Sequence, residues 1–334
     1  MRASQAELTT RPLTKSDFDP VVNIDAKITG RQRPGFFQKR LDAALAEPKH
    51  FIYLGCEYDG EIQGFLMARL LEGEYGLNKP VAVLDVIDVD PTVKGKGLGR
   101  ALMHAFDTIL EHKNIAETQS QADWRNQDIL RFFSKVGFEL APRYILERNV
   151  SYMSTNNIEE SDPYTTEENE NDFSGPLSDQ PGALSRNKIS CRSLQSSDLD
   201  TLVRIDQKVT GLDRRSYYER KVKEALDESG IRVSLVAELN GVVVGFIMAR
   251  VDYGEFDRTE SVAVLDTIGV DPGFVHHHVG AALLAQLLGN LATLRLEKIR
   301  TEIDAERFEL SSFLMNNSFY PAQRLSFTHE VIRN

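Results

Sequence analysis

The sequence has little cysteine and no long apolar run. Cys56 and Cys191 are its two cysteines in 334 residues, and their isolation excludes a disulfide framework and a CxxC zinc or redox site. No stretch approaches the roughly 18 apolar residues that a membrane-spanning helix needs, and the first ten residues lack the apolar core of a signal peptide. We therefore expect no membrane partner, and the free cysteines fit a cytoplasmic location.

Basic residues are also fewer than acidic ones. The chain carries 39 Lys and Arg against 50 Asp and Glu, a formal net charge of −11. An acidic chain binds polyanions poorly, so nucleic acid is not an expected partner. The remaining composition, 41% hydrophobic and 27% charged, is that of a globular protein. The length fits two domains of about 100–200 residues each.

An internal repeat divides the chain. Residues 81–91 read VAVLDVIDVDP and residues 262–272 read VAVLDTIGVDP, with nine of eleven positions identical at an offset of 181. The same offset aligns Met67-Ala68-Arg69 with Met248-Ala249-Arg250. A constant offset over such a distance predicts two copies of one domain, since solenoid units are shorter and more numerous.

A polar stretch separates the two copies. Residues 151–188 contain eight acidic and two basic residues, and such a segment cannot bury enough apolar surface to offset its ordering entropy. We expect a flexible acidic linker here, with a specific acidic recognition tail as the alternative. The domains are then expected at 8–150 and 189–332, and each copy is expected to fold independently.

The residue pattern of each copy predicts a mixed α/β domain. Its strands and helices are expected in the order β-α-α-β-β-β-α-β-α-β-β. Asp59-Gly60 and Asn240-Gly241 are typical of two-residue hairpin turns. The apolar, β-branched run at 81–89 predicts a buried strand. The apolar spacing over 98–112 predicts an amphipathic helix.

A glycine-rich turn joins that strand to that helix. It reads Lys94-Gly95-Lys96-Gly97-Leu98-Gly99-Arg100. Free N–H groups at a helix N-terminus attract anions, glycines allow close backbone approach, and three cations stand beside them. The turn therefore predicts a pyrophosphate site, although its spacing is neither a Walker A loop nor GxGxxG. A basic turn without a ligand is the alternative.

The strand, the VDP turn and this glycine-rich run resemble the acetyl-CoA loop of the GNAT superfamily of N-acetyltransferases. That loop is written [QR]-x-x-G-x-[GA]; Lys94 fills its first position conservatively, and Gly97 and Gly99 match the other two. Asn126 and residues 132–138, FFSKVGF, resemble the following helix of the family. The resemblance implies an α/β fold with two tandem GNAT-like domains. Each would be a mixed, mostly antiparallel, six- to seven-stranded sheet with a V-shaped split and about four helices.

The resemblance also implies how acetyl-CoA binds as the co-substrate, with no metal. The pantetheine arm would lie in the split and pair with the backbone near Ile87–Val89, and the thioester carbonyl would face an N–H near Ile87. The pyrophosphate would lie on the N–H groups of residues 94–100. The implied cofactor-binding residues are Ile87, Asp88, Val89, Lys94, Gly95, Lys96, Gly97, Leu98, Gly99, Arg100, Asn126 and Phe133.

The implied reaction is direct attack by a neutral primary amine, on a small molecule or a protein, on acetyl-CoA. Asp85 lies on the central strand and is repeated as Asp266, so it is a candidate proton acceptor. A structural Asp is the alternative. Strand alternation places Asp85 on one face with Ile87 and Val89. Glu74 and Tyr75, in the preceding loop, either line the amine pocket or are exposed.

Two departures from the family's pattern keep a second function open. Phe133 occupies the position where the family commonly has a Tyr that protonates the leaving thiolate. In the second copy, the run His276-His277-His278 replaces Gly95-Lys96-Gly97, which predicts a degenerate cofactor loop. Histidines that bond phosphates, or a metal on the histidine run, are the alternatives. The alternative function is a non-catalytic acyl-CoA-binding sensor or scaffold.

Overall fold

The computed structural model describes residues 8–46, 48–71, 79–150, 189–228, 232–252 and 262–331. The predicted linker, 151–188, lies outside these residues, so its flexibility and the domain boundaries stay predictions. Among the helices of the described part of the chain, none has the length and apolar character needed to cross a membrane.

The first copy consists of strands and helices in the predicted order. In chain order they are β1 (Leu8–Pro12), α1 (Phe18–Thr29), α2 (Pro34–Ala46), β2 (Phe51–Tyr58), β3 (Glu61–Leu71), β4 (Val81–Val89), α3 (Leu98–His112), β5 (Glu117–Asp123), α4 (Gln127–Lys135), β6 (Glu139–Leu140) and β7 (Arg143–Asn149).

The second copy repeats this order. Its elements are β8 (Ser190–Ser193), α5 (Leu199–Thr210), α6 (Arg215–Lys223), β9 (Leu235–Leu239), β10 (Val242–Asp252), β11 (Val262–Val270), α7 (Val279–Thr293), β12 (Lys298–Asp304), α8 (Phe308–Asn316), β13 (Tyr320–Pro321) and β14 (Arg324–Glu330).

Both predicted hairpin turns are confirmed. Asp59 and Gly60 have φ values of 55° and 83°, and Asn240 and Gly241 have 52° and 76°. Two successive positive φ values define the type I′ turn that matches the twist of paired strands. The turns therefore fix the β2–β3 and β9–β10 hairpins.

The two copies exchange their last long strands. One sheet has the order β1-β2-β3-β4-β5-β14-β6, and the other has the order β13-β7-β12-β11-β10-β9-β8. Strand β7 of the first copy pairs antiparallel with β12, from Arg143 opposite Asp304. Strand β14 of the second copy pairs in the equivalent way with β5, from Arg324 opposite Asp123. The expectation that each copy is self-contained is therefore wrong.

The link before each exchanged strand is short. Ala141 and Pro142 separate β6 from β7, and Ala322 and Gln323 separate β13 from β14. A two-residue type I′ turn needs positive φ at both central residues, and none of these four residues has a positive φ. Neither link is therefore a type I′ hairpin turn, and β7 and β14 each pair in the other copy's sheet.

The exchanged strands fill the hydrophobic cores. On one face of the first sheet, α3 and α4 cover a cluster that includes Phe327 and Val331 of the second copy. The corresponding cluster of the second sheet includes Leu146 and Val150 of the first copy. Helices α1 and α2, or α5 and α6, cover the opposite face of each sheet. The two copies thus share both of their main cores.

Each sheet splits at its centre, as expected. Strand β4 pairs in parallel with β5 at Ala82 and Val83, and β11 pairs with β12 at Ala263 and Val264. Just beyond the first pairing, the Ser120 hydroxyl donates to the carbonyl of Leu84 at 2.9 Å. A side chain thus replaces a backbone partner, and the strands diverge beyond it.

Candidate active site

The predicted anion loop lies at the N-terminus of α3, beside the split. Asp90 shapes its start by accepting hydrogen bonds from the backbone N–H and hydroxyl of Thr92, at 2.9 and 2.7 Å. Its other oxygen accepts from Lys27 Nζ of α1 at 2.5 Å. The Asp90 side chain thereby joins the loop to α1.

Two glycines give the loop its path. Gly95 and Gly97 have φ values of 88° and 94°, and Gly97 is the N-cap of α3. A Cβ on Gly97 would meet no atom within 4 Å, so this position is open to a ligand. The first-turn N–H groups of a helix have no intrahelical acceptor, and the first turn of α3 begins at Leu98. We call the backbone of residues 95–100, the predicted anion site, the cradle.

A different structural requirement explains the glycine at position 99. A Cβ there would lie 2.9 Å from the ring of Phe132. The absent side chain lets α3 pack closely against α4. Its glycine therefore serves helix packing rather than ligand approach.

The cations of the loop have only weak competing partners. Lys94 Nζ lies 2.5 Å from Asp128 of α4, but both side chains are about two-thirds exposed, and an exposed ion pair is worth little. Lys96 Nζ donates to the Tyr58 hydroxyl at 3.0 Å. Both amines can therefore turn towards a phosphate at small cost.

The second copy builds this loop differently. Its 3-10 helix runs from Pro272 to His277, whereas the first copy has Pro91–Val93. In a 3-10 helix the N–H groups point to carbonyls three residues earlier, so fewer face outwards. His278 then takes the position of Gly97 at a φ of 59° and adds an exposed side chain.

Asp85 lies on the face opposite to the predicted one. The β3–β4 register skips Asp85, with Met67 opposite Val86 and Ala68 opposite Leu84. This β-bulge turns Asp85 towards α2, while Ile87 packs with the α3-side cluster. The expectation that Asp85 shares a face with Ile87 and Val89 is wrong, because the bulge adds one residue and breaks the alternation.

The carboxylate of Asp85 is held by two guanidinium groups. It is 1% exposed and accepts from Arg69 Nε and Nη2, both at 2.7 Å, and from Arg40 Nη1 at 2.8 Å. Two cationic partners stabilise the charged carboxylate, which makes it a weaker proton acceptor. These contacts favour a structural role, and the proton-acceptor role of Asp85 stays a prediction.

The second copy repeats this cluster. Asp266 also lies at a skipped position, between Met248–Thr267 and Ala249–Leu265, and it contacts Arg250 and Lys221. Burial of Asp266 raises the pKa of its carboxyl, but Arg250 and Lys221 outweigh that effect, so its pKa lies below the ordinary value.

The other predicted site residues differ in where they lie. Asn126 caps α4, with its Oδ1 accepting from the Ile129 N–H at 3.2 Å. Phe133 is fully buried and stacks on Phe138 with ring centroids 4.5 Å apart, which disfavours a cofactor contact. Residues 72–78, with Glu74 and Tyr75, lie outside the described residues.

A cavity of about 120 Å³ lies between the two copies, and we call it the central chamber. The first copy lines it with Arg69, Asp85, Gln121 and Arg143, among others. The second copy lines it with Arg250, Asp266, Glu302 and Arg307, among others. The volume is several times that of one water molecule.

Comparisons with known proteins identify the family. A model described as Acetyltransferase (GNAT) family matches residues 18–138 and 199–309. The chain belongs to the GNAT family. The family model matches once in each copy, so the chain has two GNAT domains in tandem.

Solved structures share the whole tandem architecture. A tandem GNAT protein from the clavulanic acid biosynthesis pathway matches with a TM-score of 0.64 and 14% identity, over 98% of this chain and 100% of that one. A GNAT N-acetyltransferase from Sphaerobacter thermophilus matches with a TM-score of 0.57 and 14% identity, over 98% and 96% of the chains. At such identity these likenesses concern the fold.

One curated relative matches in part. The mycothiol acetyltransferase of Kocuria rhizophila is 28% identical over 111 residues, which are 33% of this chain and 36% of that enzyme. The match thus spans about a third of either protein.

Sequence reasoning missed the arginines of the Asp85 cluster and the chamber. Arg69 was visible in the repeat, since it aligns with Arg250, but nothing local indicates its partner. Arg40 and Lys221 are also 181 residues apart. The conservation of a positive charge between these two positions was the one sequence signal that could have pointed to them.

Proposed function

We propose that this GNAT enzyme transfers the acetyl group of acetyl-CoA to a primary amine, with the cofactor site in the first copy. The observation that carries the proposal is the cradle at residues 95–100, which lies at the mouth of the sheet split. Its outward N–H groups, its two positive-φ glycines and its adjacent lysines suit a pyrophosphate.

The residues of the split fit the rest of the co-substrate. Strand β4 pairs with β5 at Ala82 and Val83, ahead of Ile87–Val89, and the pantetheine arm would lie along Ile87–Val89, beyond that pairing. An N–H near Ile87 would stabilise the negative charge that develops on the carbonyl oxygen. Acetyl-CoA supplies the activated acyl group when it is bound.

The chemistry needs one bond made, one broken and one proton moved. The amine nitrogen bonds to the acetyl carbon, the carbon–sulfur bond breaks, and the amine proton leaves through water or a nearby carboxylate. The CoA sulfur departs as thiolate or takes a proton from water. No hydroxyl stands at position 133 to protonate it.

The test is thioester turnover by the purified full chain. A panel of primary amines is incubated with acetyl-CoA, free CoA thiol is measured, and the acetylated product is identified by mass spectrometry. We expect amine-dependent thiol release that the Gly97→His variant loses. Acetyl-CoA binding without turnover of any amine would instead support the sensor or scaffold function.

A further inference from the structure

The central chamber contacts the closed ends of both splits. Val83 and Gln119, where β4 and β5 stop pairing, both line it, and so do Val264 and Arg300 of the second copy. The register places Val83 opposite Arg69, on the α2 side of the sheet, away from the cradle on α3. A molecule in the chamber therefore reaches the split from the side opposite the cofactor loop.

Two buried polar atoms in the chamber lack a hydrogen-bond partner in the described part of the chain. One is Nη1 of Arg143 and the other is Oε1 of Gln121. The Arg143 side chain is 10% exposed; its Nη2 donates to Glu117 at 2.8 Å, but Nη1 stays 3.9 Å from Glu302. Buried groups of this kind are normally satisfied, so the chamber offers one cationic donor and one neutral acceptor to a ligand.

The second copy has gained charge on its chamber wall. Gln119, Gln121 and Asn126 of the first copy correspond to Arg300, Glu302 and Arg307 of the second. Glu302 accepts a hydrogen bond from Gln121, and Arg300 lies 3.7 Å from Glu147, so these two charges have partners within the protein. Arg307 is partly exposed on the chamber wall and is therefore the candidate for a ligand contact.

Arg307 shows this exchange most directly. Asn126 caps α4 through its side chain, whereas Arg307 at the equivalent N-cap of α8 makes no side-chain cap bond. Arginine is not a good N-cap residue. The second copy has thus replaced a helix cap by a cation that lines the chamber.

The chamber walls also favour an anion overall. Five arginines and four carboxylates line it. Two of those carboxylates, Asp85 and Asp266, are each held by two cationic side chains. Among the other arginines, Arg143 Nη2 pairs with Glu117 and Arg300 lies 3.7 Å from Glu147. The cationic groups that the chamber offers to an anion are therefore Arg143 Nη1 and Arg307.

We infer that the second copy supplies part of the acceptor site for the first copy's cofactor, and that the acceptor is an amine that also carries a carboxylate or phosphate. The inference rests on the proposed function. Arg143 and Arg307 bind the anionic group, and Gln121 Oε1 accepts a hydrogen bond from the amine. A planar guanidinium suits carboxylate and phosphate oxygens equally.

Matched acceptor pairs test this inference. L-amino acids are compared with their carboxamides, and phosphoethanolamine with ethanolamine, in full-chain turnover assays with acetyl-CoA. We expect kcat/KM to be at least tenfold higher for the anionic member of a pair. If the amino acids differ from their carboxamides, the acceptor carries a carboxylate. If phosphoethanolamine differs from ethanolamine, the acceptor carries a phosphate.

The Arg307→Asn variant tests the contribution of the second copy. It restores the capping residue of the first copy, so it should fold at least as stably as the parent. We expect KM for the anionic acceptor to rise about tenfold, with kcat within about twofold and KM for the neutral partner unchanged. Arg204→Gln, an exposed arginine of α5, is the matched control and should change neither constant.

Equal kcat/KM within every pair, or an Arg307→Asn variant with unchanged KM, would overturn the inference and leave the proposed function standing. If no amine is acetylated, the proposed function fails. In that case the chamber is still tested, because the same pairs are added without acetyl-CoA and the unfolding temperature is followed. The anionic members should stabilise the parent chain and not the Arg307→Asn variant, and the absence of that difference contradicts the inference.

Discussion

Gln121 and Glu302 occupy equivalent positions of the two copies and bond to each other. Gln121 Nε2 donates to Glu302 Oε2 at 2.5 Å across a sequence separation of 181 residues, the repeat offset itself. Two equivalent residues can meet only near an axis that relates the copies. The pseudo-twofold axis therefore passes beside this pair and through the central chamber, with the exchanged strands on either side.

The strand exchange predicts that a cut in the linker leaves the protein whole. We expect proteolysis within residues 151–188 to give two fragments that elute together at the mass of the intact chain, because β7 and β14 each complete the other fragment's sheet. Size-exclusion chromatography with mass spectrometry measures this. Separation into two monomers that unfold cooperatively would show that the copies are independent after all.

Gly97→His should weaken acetyl-CoA binding by about tenfold or more, about 1.4 kcal/mol. The new side chain enters the open space of the cradle. Calorimetry on the full chain measures the affinity. His278 already takes a positive φ in the second copy, so the fold accepts such a residue.

Gly60→His is the matched control for that variant. It places the same side chain at another glycine with a positive φ and open surroundings, in the β2–β3 turn. We expect its affinity for acetyl-CoA to equal that of the parent. Parent-like binding by Gly97→His would remove the phosphate site from this loop.

Cofactor binding should be asymmetric between the copies. We expect calorimetry near neutral pH to give one tight acetyl-CoA per chain, because the longer 3-10 helix and His278 reduce the outward N–H groups of the second loop. The full chain is the right sample, since the copies share strands. Two equal sites would contradict this, as would a tight site that survives Gly97→His.

Asp85→Asn and Asp266→Asn form a matched pair. Each removes a buried carboxylate from between two cationic side chains, so we expect each to lower the unfolding free energy by about 3–5 kcal/mol. Denaturant unfolding measures this. Because the first copy holds the intact cradle, only Asp85→Asn should also reduce turnover.

The pH–rate profile then separates two roles for Asp85. From its contacts with Arg40 and Arg69 we expect the residual activity of Asp85→Asn to keep the profile of the parent. A proton acceptor would behave differently, with a loss of about 100-fold or more in kcat and the disappearance of the acidic limb. That result would restore the role predicted from the sequence.

His329 should make stability depend on pH. Its Nε2 lies 3.3 Å from Asp107 of α3 and its Nδ1 lies 3.2 Å from the carbonyl of Gly137, and only an imidazolium can donate to both. The hydrogen bond to Asp107 raises the pKa of His329 above its ordinary value, although burial opposes the rise. The contact therefore holds the exchanged strand β14 to the first copy best when His329 is protonated.

The sign of the effect follows from the raised pKa. The stabilisation is fully present below the unfolded value of about 6.5 and is lost as pH rises through the higher folded value. We expect His329→Gln to lower the unfolding free energy more at about pH 5.5 than at about pH 8.5. His104→Gln, an exposed histidine on α3, should show no such difference, and an equal loss for His329→Gln at both pH values would contradict the assignment.

Local signals in the sequence predicted much of the fold and of the cofactor site. The Asp59-Gly60 and Asn240-Gly241 turns were predictable because a type I′ turn depends on its own two residues. The cradle was predictable because its glycines, lysines and helix N-terminus are contiguous. Glycine at position 99 was attributed to the ligand, whereas it serves packing against Phe132, a contact between helices that sequence spacing does not reveal.

The sequence by itself determined the repeat, the order of elements and the asymmetry of the two cofactor loops, because each depends on residues that are neighbours in the chain. Only the tertiary structure decided the strand exchange, since equivalent copies offer β7 and β14 nearly equivalent sheets and alternation cannot tell one from the other. It also decided the face of Asp85, because one bulge residue reverses the alternation. The central chamber follows from both, since its walls come from residues that the chain brings together only across the pseudo-twofold axis.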